Sequence, residues 1–388
     1  MFSSRLPGAL EENAVTRSLH RLRNAGVPVI DLTETNPTRV HLTYPADLHR
    51  RLASPAALTY APEPLGISSA REAVSREYTR QGAAVPADRI ALTASTSETY
   101  SLLFKLLCDA GDQILIPQPS YPLFEMLSQL DTVVTVPYAL HMYSGWSLDR
   151  ASIEQALSVR TRAVLVVSPN NPTGSVLSQD DVEWLAAVCA ARDIALIADE
   201  VFFDYPLRRT GSGPVRRPIA ALTLPALTFC LGGLSKSAGL PQMKLGWIAV
   251  SGPDALVAEA LSRLELIMDT YLSVSTPVQL AAASLIDAGA GIRAAIQARV
   301  SMNLARCRAL IAARPDVSML EPDAGWCVVV QMPATETEED VVLRLLEDRQ
   351  VLVHPGYFFD FPNEAFLVLS LLPEPDVFAD GVARVLRP

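Results

Sequence analysis

Lysine and arginine together number 32, and only three of these residues, Lys105, Lys236 and Lys244, are lysine. Arginine stays protonated and cannot serve as an amine nucleophile, whereas lysine can lose its proton and condense with a carbonyl to form a Schiff base. Lys236 and Lys244 stand eight residues apart, just after the small-residue run Gly232-Gly233-Leu234-Ser235. Either three surface lysines have escaped a bias toward arginine, or this segment is kept for amine chemistry.

Three other stretches carry groups that could hold a ligand beside such an amine. Ser95-Thr96-Ser97-Glu98 opens an apolar helix, with Ser95 and Glu98 spaced as a capping box. That leaves the amides of Thr96 and Ser97 and two hydroxyls at a positive helix end, which suits a phosphate or is simply a cap. Ser168-Pro169-Asn170-Asn171-Pro172-Thr173-Gly174 has two prolines and a glycine, a rigid turn that would hold the Asn171 amide at a sheet edge. Asp199-Glu200 follows five apolar residues, so the acid is expected to be partly buried and to need a positive partner, either a protonated pyridine nitrogen or a structural salt bridge. Gly232-Gly233 supplies small residues where backbone would approach a ligand closely.

These stretches need a frame. Apolar runs at Arg89–Thr93, Gln113–Ile116, Thr132–Val136, Ala163–Val167, Ile194–Ala198, Leu227–Leu231 and Leu245–Val250 read as buried strands. Helical patterns lie between several of them; Ser178–Arg192 is the clearest, with Ser178 and Asp181 as its cap and Val182, Leu185 and Cys189 on one face. The alternation predicts an α/β fold, a large domain with a mostly parallel seven-stranded sheet covered by helices. In such a sheet the ligand lies outside the carboxyl ends of the strands, where all four stretches fall. After about residue 290 the pattern changes to a smaller α+β domain: strand Trp326–Gln331, helix Glu338–Arg349, strands Val351–Val353 and Phe366–Leu371. The expected division is 45–285 for the large domain, with 1–44 and 286–388 forming the small one. Leu207–Pro218 reads as a loose loop.

Composition removes several classes of function. With 49% hydrophobic and 19% charged residues the chain is globular rather than disordered, and a net charge of −10 argues against nucleic acid or an anionic membrane as partner. No apolar run reaches the length of a membrane span, and no signal core follows Met1. Five unpaired-looking cysteines and five scattered histidines give no metal-ligand spacing, so no metal is expected. The expected setting is soluble and cytoplasmic, and no GxGxxG, Walker A or GxSxG motif occurs.

Taken together, Asn171-Pro-Thr-Gly, Asp199-Glu200, Ser235-Lys236 and a basic residue eight positions later resemble the fold-type I pyridoxal-phosphate enzymes, specifically class I/II aminotransferases. Tyr60, Gly66 and Ala70-Arg71-Glu72 match a further family segment, and Pro119-Ser120-Tyr121-Pro122 another, so the likeness covers nearly the whole chain. The resemblance implies pyridoxal 5'-phosphate held as a Schiff base by Lys236, which also moves a proton. It implies that Asp199 keeps the pyridine nitrogen protonated, Asn171 donates to the phenolate oxygen and Tyr121 stacks on the ring. Thr96, Ser97, Ser235 and Lys244 would hold the phosphate, and Tyr60 would reach it from the neighbouring subunit of a homodimer with shared active sites. The partner is a small-molecule amine or amino acid.

The chain departs from that family at four places. Lys244 stands where arginine is usual, Gly233 where serine is usual, and Phe202 where a tyrosine donates to the phenolate oxygen, although Tyr205 is near in sequence. Val368 occupies the place of the arginine that grips the substrate α-carboxylate. Either another residue holds the carboxylate or the substrate lacks one there; Arg39, after Thr35-Asn36-Pro37-Thr38 in the segment that usually gates the substrate, is the candidate substitute or an exposed loop arginine, with Thr35 beside it. The leading expectation is an aminotransferase moving an amino group between an amino donor and an oxo acceptor. The alternative is a lyase or another non-transaminating enzyme of the same cofactor; a ligand sensor on this fold is disfavoured by the retained Lys236. The aromatic run Tyr357-Phe358-Phe359 and Trp326 either line a pocket or pack the core.

Overall fold

A computed structural model of the chain describes residues 2–8, 11–143, 145–208 and 217–387. Most of the expected loose loop, 209–216, lies outside the described residues.

Eight strands form the large sheet: β1 Ile90–Thr93, β2 Gln113–Gln118, β3 Val134–Met142, β4 Trp146–Leu148, β5 Thr161–Val167, β6 Ala195–Asp199, β7 Thr228–Gly233 and β8 Gly246–Ser251. Their order is β1-β8-β7-β6-β5-β2-β3-β4. The run from β7 through β3 is parallel, β8 is antiparallel to both its neighbours, and β4 folds back antiparallel on β3. All seven expected strands are present, and β4 is an eighth. It was not foreseen because three residues are too few to show a period, and because Pro137 interrupts the run that leads to it. Pro137 pairs only with β2, while β4 begins its pairing at Leu140, so the missing N–H falls on an open edge.

The central strands carry unbroken apolar runs, Ala163–Val167 in β5 and Ala195–Ala198 in β6, because both faces are covered. Val164 and Val166 of β5 enter one buried cluster and Ala163, Leu165 and Val167 enter another, with Leu196 and Ala198 against Ala195 and Ile197 of β6 dividing the same way. Period-two side chains thus make one strand serve two cores. Helices Thr96–Leu107 and Asp254–Tyr271 close one core, and helices Ser68–Gln81, Gln179–Ala191 and Thr276–Ile311 close the other. Ser178 caps the Gln179–Ala191 helix as expected, accepting from the Asp181 amide at 3.1 Å.

The smaller sheet contains β9 Ser318–Leu320, β10 Cys327–Gln331, β11 His354–Pro355 and β12 Phe366–Ser370 in the order β9-β10-β12-β11, all antiparallel. The helix Glu338–Arg349 has the expected bounds. Its buried Glu338 carboxylate accepts from the amides of Tyr357 (2.8 Å) and Phe366 (2.7 Å), tying the Gly356–Phe359 turn and β12 to one helix end. Near the N-terminus, Ile30–Asp31 pairs in parallel with Val351–Leu352.

The two sheets meet at the turn after β5. Gly174 has φ +69°, its carbonyl accepts from the amides of Asp323 and Ala324 (both 3.0 Å), and a Cβ there would stand 2.4 Å from Pro322 Cβ and 2.5 Å from the Ala324 carbonyl oxygen. A side chain therefore meets both left-handed strain and overpacking. Gly174→Ala is expected to lower unfolding free energy by roughly 3 kcal/mol in denaturant titration; an unchanged midpoint would show that the Pro322–Ala324 segment yields freely.

Candidate active site

Lys236 lies in a single helical turn, Leu234–Ser237, that begins as soon as β7 ends. Its amine stands over the rings of Trp326 and Phe202, 4.8 and 5.5 Å from their centroids. Burial drives its pKa below the ordinary lysine range, against the opposing pull of Cys327 and Asp199. The backbone beneath the amine is pinned by side chains from three distant segments. The Tyr205 hydroxyl donates to the Lys236 carbonyl (2.5 Å), Arg293 to the Ser237 carbonyl (3.0 Å) and Tyr44 to the Gly239 carbonyl (2.8 Å). Arg293 is itself held by Glu77 (3.0 Å), which Arg80 grips with two nitrogens (2.9 and 2.7 Å) while also reaching Asp204.

Asp199 is the last residue of β6 and is buried. Its carboxylate accepts from the Tyr100 hydroxyl and from the Val201 amide (3.0 Å), and among the described residues it has no ion-pair partner in contact. Burial raises its pKa above the usual carboxylate range; Tyr100, Val201 and the charge of Lys236 each pull it back. Tyr100 packs edge-on against Phe124 (5.2 Å), and Phe124 edge-on against Tyr121 (5.9 Å). Burial, and then the Asp199 charge, raise the Tyr121 hydroxyl above the usual tyrosine range, and the residue remains partly exposed.

The β1 turn carries the capping box with a shift of one residue. Ser95 accepts from the Glu98 amide (3.2 Å), but the Glu98 carboxylate reaches back to the amide of Ala94 (2.6 Å) rather than Ser95. Thr96 and Ser97, both half-buried, therefore begin the helix with amides that have no helical acceptor. At the β5 turn it is Asn170, not Asn171, that braces the backbone. Its amide donates to the Pro119 carbonyl (3.1 Å) and Thr173 hydroxyl (2.9 Å), and its oxygen accepts from Ser120 (3.0 Å). Asn171 is left with an amide that makes no hydrogen bond among the described residues. The peptide bonds before Pro119, Pro169 and Pro172 are cis.

Other expected residues fall differently. Gly232 and Gly233 are small for a reason of packing: a Cβ on Gly232 would stand 2.4 Å from the Trp247 indole nitrogen and one on Gly233 3.2 Å from Gly246 Cα, so their smallness serves β8. The Tyr205 hydroxyl is used on the Lys236 backbone and its ring is packed on Trp326 (5.1 Å), which removes it as a replacement for the hydroxyl lost at Phe202. Ser235 is half-buried beside Lys236, and Lys244 is exposed at φ +50° with no ion pair among the described residues. Tyr60 is exposed and lines a cavity of about 150 Å³ with Pro62, Met268 and Gln279, away from Lys236's contacts.

Thr35 and Arg39 are exposed on a segment strapped to the end of β12. Ser370 donates to the Leu32 carbonyl through its amide (2.7 Å) and to the Glu34 carbonyl through its hydroxyl (2.6 Å), and Arg299 bridges the carbonyls of Val40 and Leu372. The Arg39 side chain makes no hydrogen bond or ion pair among the described residues. Val368 is buried between Val329 and His354 in a cluster with Cys327, Phe359 and Phe366. Trp326 is fully buried under Lys236 and Phe359 is buried, whereas Tyr357 is exposed. Sequence reasoning missed Tyr100, Asn170 and Arg293. Tyr100 could have been found by asking which helix residue donates to a buried acid, since it lies one turn after Thr96 on the buried face.

A lysine on a turn after a parallel strand, an acid at the end of the next strand and a helix amino end beside them define a fold-type I enzyme site. The chain belongs to the aminotransferase class I and II family, whose sequence model matches residues 29–375. It is thereby an enzyme that transfers amino groups. Among its relatives are a glutamate-pyruvate aminotransferase AlaA of Escherichia coli strain K12, 27% identical over 96% of this chain and 93% of that one. An alanine aminotransferase of Mycobacterium tuberculosis strain H37Rv is 28% identical over 94% and 86%. The fold matches a crystal structure of an aminotransferase from Escherichia coli with a TM-score of 0.86 at 24% identity, covering 99% of this chain and 96% of that one. It also matches an alanine aminotransferase from Pyrococcus furiosus with a TM-score of 0.86 at 23% identity over 99% and 98%.

The Tyr100–Asp199 contact gives a test that needs no ligand. Removing the hydroxyl takes a donor from the charged form, so Asp199 is raised further and its burial costs more wherever it is ionised. Tyr100→Phe should destabilise the protein by about 1–3 kcal/mol at pH 8 and by less at pH 5, where the raised carboxyl is more protonated. Equal deficits at both pH values in urea unfolding would mean that the hydroxyl does not act through the Asp199 charge.

Proposed function

We propose that the chain is a pyridoxal 5'-phosphate-dependent aminotransferase that carries the cofactor on Lys236 and exchanges an amino group between an amino donor and an oxo acceptor. One observation carries this reading: a half-buried amine of lowered pKa, set over the rings of Trp326 and Phe202, shares its surroundings with a buried carboxylate that lacks a cation in contact. A protonated ring nitrogen supplies the missing counter-charge, so the residues fit the cofactor. When bound, the cofactor supplies an electron sink for the negative charge left on the substrate carbon.

The rest is the work of this chain's side chains. Lys236, uncharged because it is desolvated, is able to attack a carbonyl and, once displaced, to carry the proton off the substrate carbon. Asp199, oriented by Tyr100, holds a proton on the ring nitrogen. Asn171 donates to the phenolate oxygen, and Phe202 gives that oxygen no second donor. Tyr121 covers the ring face. Thr96, Ser97, Ser235 and Lys244 receive the phosphate, with Lys244 as a point charge rather than a bidentate fork. Tyr60 reaches a phosphate from the neighbouring subunit, which its exposure on this chain permits, and makes the enzyme a homodimer. The division at residues 45–285 against 1–44 with 286–388 assigns the cofactor to the large domain, and the setting is cytoplasmic.

A second reading keeps the cofactor but not transamination, and the apolar surroundings of Val368 favour it. The two separate in a half-reaction without acceptor: an aminotransferase releases one oxo product per site and stops, while a lyase continues.

The purified holoenzyme should be yellow and should yield a borohydride-reducible protein–cofactor adduct, both lost in Lys236→Ala. A covalent adduct surviving in the alanine variant would remove Lys236 from its role. For carboxylate-bearing donors, Arg39 with Thr35 is the proposed holding site. Arg39→Ala should reduce kcat/KM toward them about a hundredfold, on the order of 3 kcal/mol, and leave amines without a carboxylate nearly unchanged. Equal loss for both donor classes, or for neither, would eliminate Arg39.

A further inference from the structure

His354 is directly paired with Val368, and Val368 with Val329 on its other side. Paired residues of antiparallel strands share a face, so these three side chains form a row across the small sheet. Cys327, two residues before Val329, shares that face, and its thiol feels the charge of Lys236. Trp326, the residue before Cys327, lies under the Lys236 amine, so the row starts beside that amine's surroundings. The turn that carries Phe359 is docked on the large sheet, where the Ser120 amide donates to the Phe359 carbonyl (3.0 Å) one residue before Tyr121.

In this row His354 is out of character. Val329, Val368 and Phe359 are buried and apolar, and the Ser370 hydroxyl is already used on the Glu34 carbonyl. The imidazole stands edge-on to Phe358 and Phe359, with both ring centroids 5.7 Å away, and its nitrogens have no hydrogen-bond partner among the described residues. The residue is half-buried, so its nitrogens are left to solvent or to a ligand, whereas packing alone would be served by another apolar side chain. Burial lowers the imidazole pKa against a weak opposing pull from Asp31, so the ring is neutral at neutral pH and offers one donor and one acceptor.

We propose that His354 is a specificity-determining residue that hydrogen-bonds an uncharged polar group, such as a carboxamide or hydroxyl, on the amino-bearing carbon of the substrate. This rests on the aminotransferase reading above. A carboxylate in that position would face valines, a thiol and ring edges with a single neutral donor, which does not replace its hydration. Arg39, on the exposed strap, serves carboxylates at the mouth; His354 serves uncharged groups from the small sheet.

The test uses the holoenzyme and four amines that share one methyl group: L-alaninamide, L-alaninol, 2-aminopropane and L-alanine. The half-reaction is followed by cofactor absorbance, which gives a dissociation constant and a rate for each. L-alaninamide and L-alaninol should bind about tenfold more tightly than 2-aminopropane, one hydrogen bond's worth. His354→Phe should erase that difference through the dissociation constant, His354→Gln should restore part of it, and L-alanine, whose carboxylate is held by Arg39, should be unchanged throughout. The inference is overturned if His354→Phe weakens L-alanine as much as L-alaninamide, or if both variants, folded by thermal unfolding, match wild type with every amine. A wild-type holoenzyme that reacts with no amine would instead overturn the aminotransferase reading itself.

Discussion

An amine that must be uncharged at neutral pH has to be taken out of water, and a four-carbon stem gives it no fixed place once it is there. Lys236 meets the first requirement by lying against Phe202 and Trp326, whose rings displace solvent while their faces still tolerate a cation when the proton returns. It meets the second through its backbone. Tyr205, Arg293 and Tyr44 hold the carbonyls of Lys236, Ser237 and Gly239 from three parts of the chain, so the stem starts from a point that cannot drift. Much of the architecture serves that turn: β7 delivers it, the long helix Thr276–Ile311 brings Arg293 under it, and the N-terminal segment brings Tyr44 against it.

Arg293 can do this only because its own charge is answered. Glu77 and Asp204 are both nearly inaccessible, and Arg80 and Arg293 between them compensate two carboxylates. Such a group is weak evidence for stability, since apolar residues of equal volume often do as well. Its value here is directional. A guanidinium fixed by carboxylates can aim one nitrogen at the Ser237 carbonyl, which an apolar side chain cannot do. Asp199 is the opposite arrangement, a buried carboxylate given two donors and no cation in contact, and so left with affinity for one. Glu77 and Asp204 are answered by guanidinium groups within the chain, whereas Asp199 keeps a charge that only a group from outside can answer.

The frame was legible because burial on two faces leaves a plain mark: runs such as Ala163–Val167 and Ala195–Ala198 are apolar at every step, and the turn chemistry lies at their ends. The Gln179–Ala191 helix announced itself by its capping residues, Ser178 and Asp181. What escaped was whatever depends on contacts between distant segments. Tyr100 is an ordinary buried aromatic until β6 sets Asp199 beside it. Asn170 looks like the lesser neighbour of Asn171 until Ser120 and Pro119 arrive from β2 to bond it. The smallness of Gly232 and Gly233 was correctly seen, but its beneficiary, Trp247 and the backbone of β8, lies across a strand pair that local sequence does not disclose. Residues that act on their own strand can be read locally; residues that brace another strand cannot.

The same separation explains how this chain can keep the family's machinery and yet lack its carboxylate arginine. The amine, the acid and the helix amino end all belong to the large sheet, whereas Val368 and His354 belong to the small one. The two are joined near the site by backbone contacts, Gly174 to Asp323 and Ala324 and Ser120 to Phe359, and by Trp326 beneath Lys236. Backbone contacts do not depend on which side chain stands at 368 or 354. Glu338 holds Tyr357 and Phe366 by their amides, so the row keeps its position whatever it presents. The side chains at 368 and 354 can therefore change without moving the lysine, because what holds the two sheets together near the site is backbone.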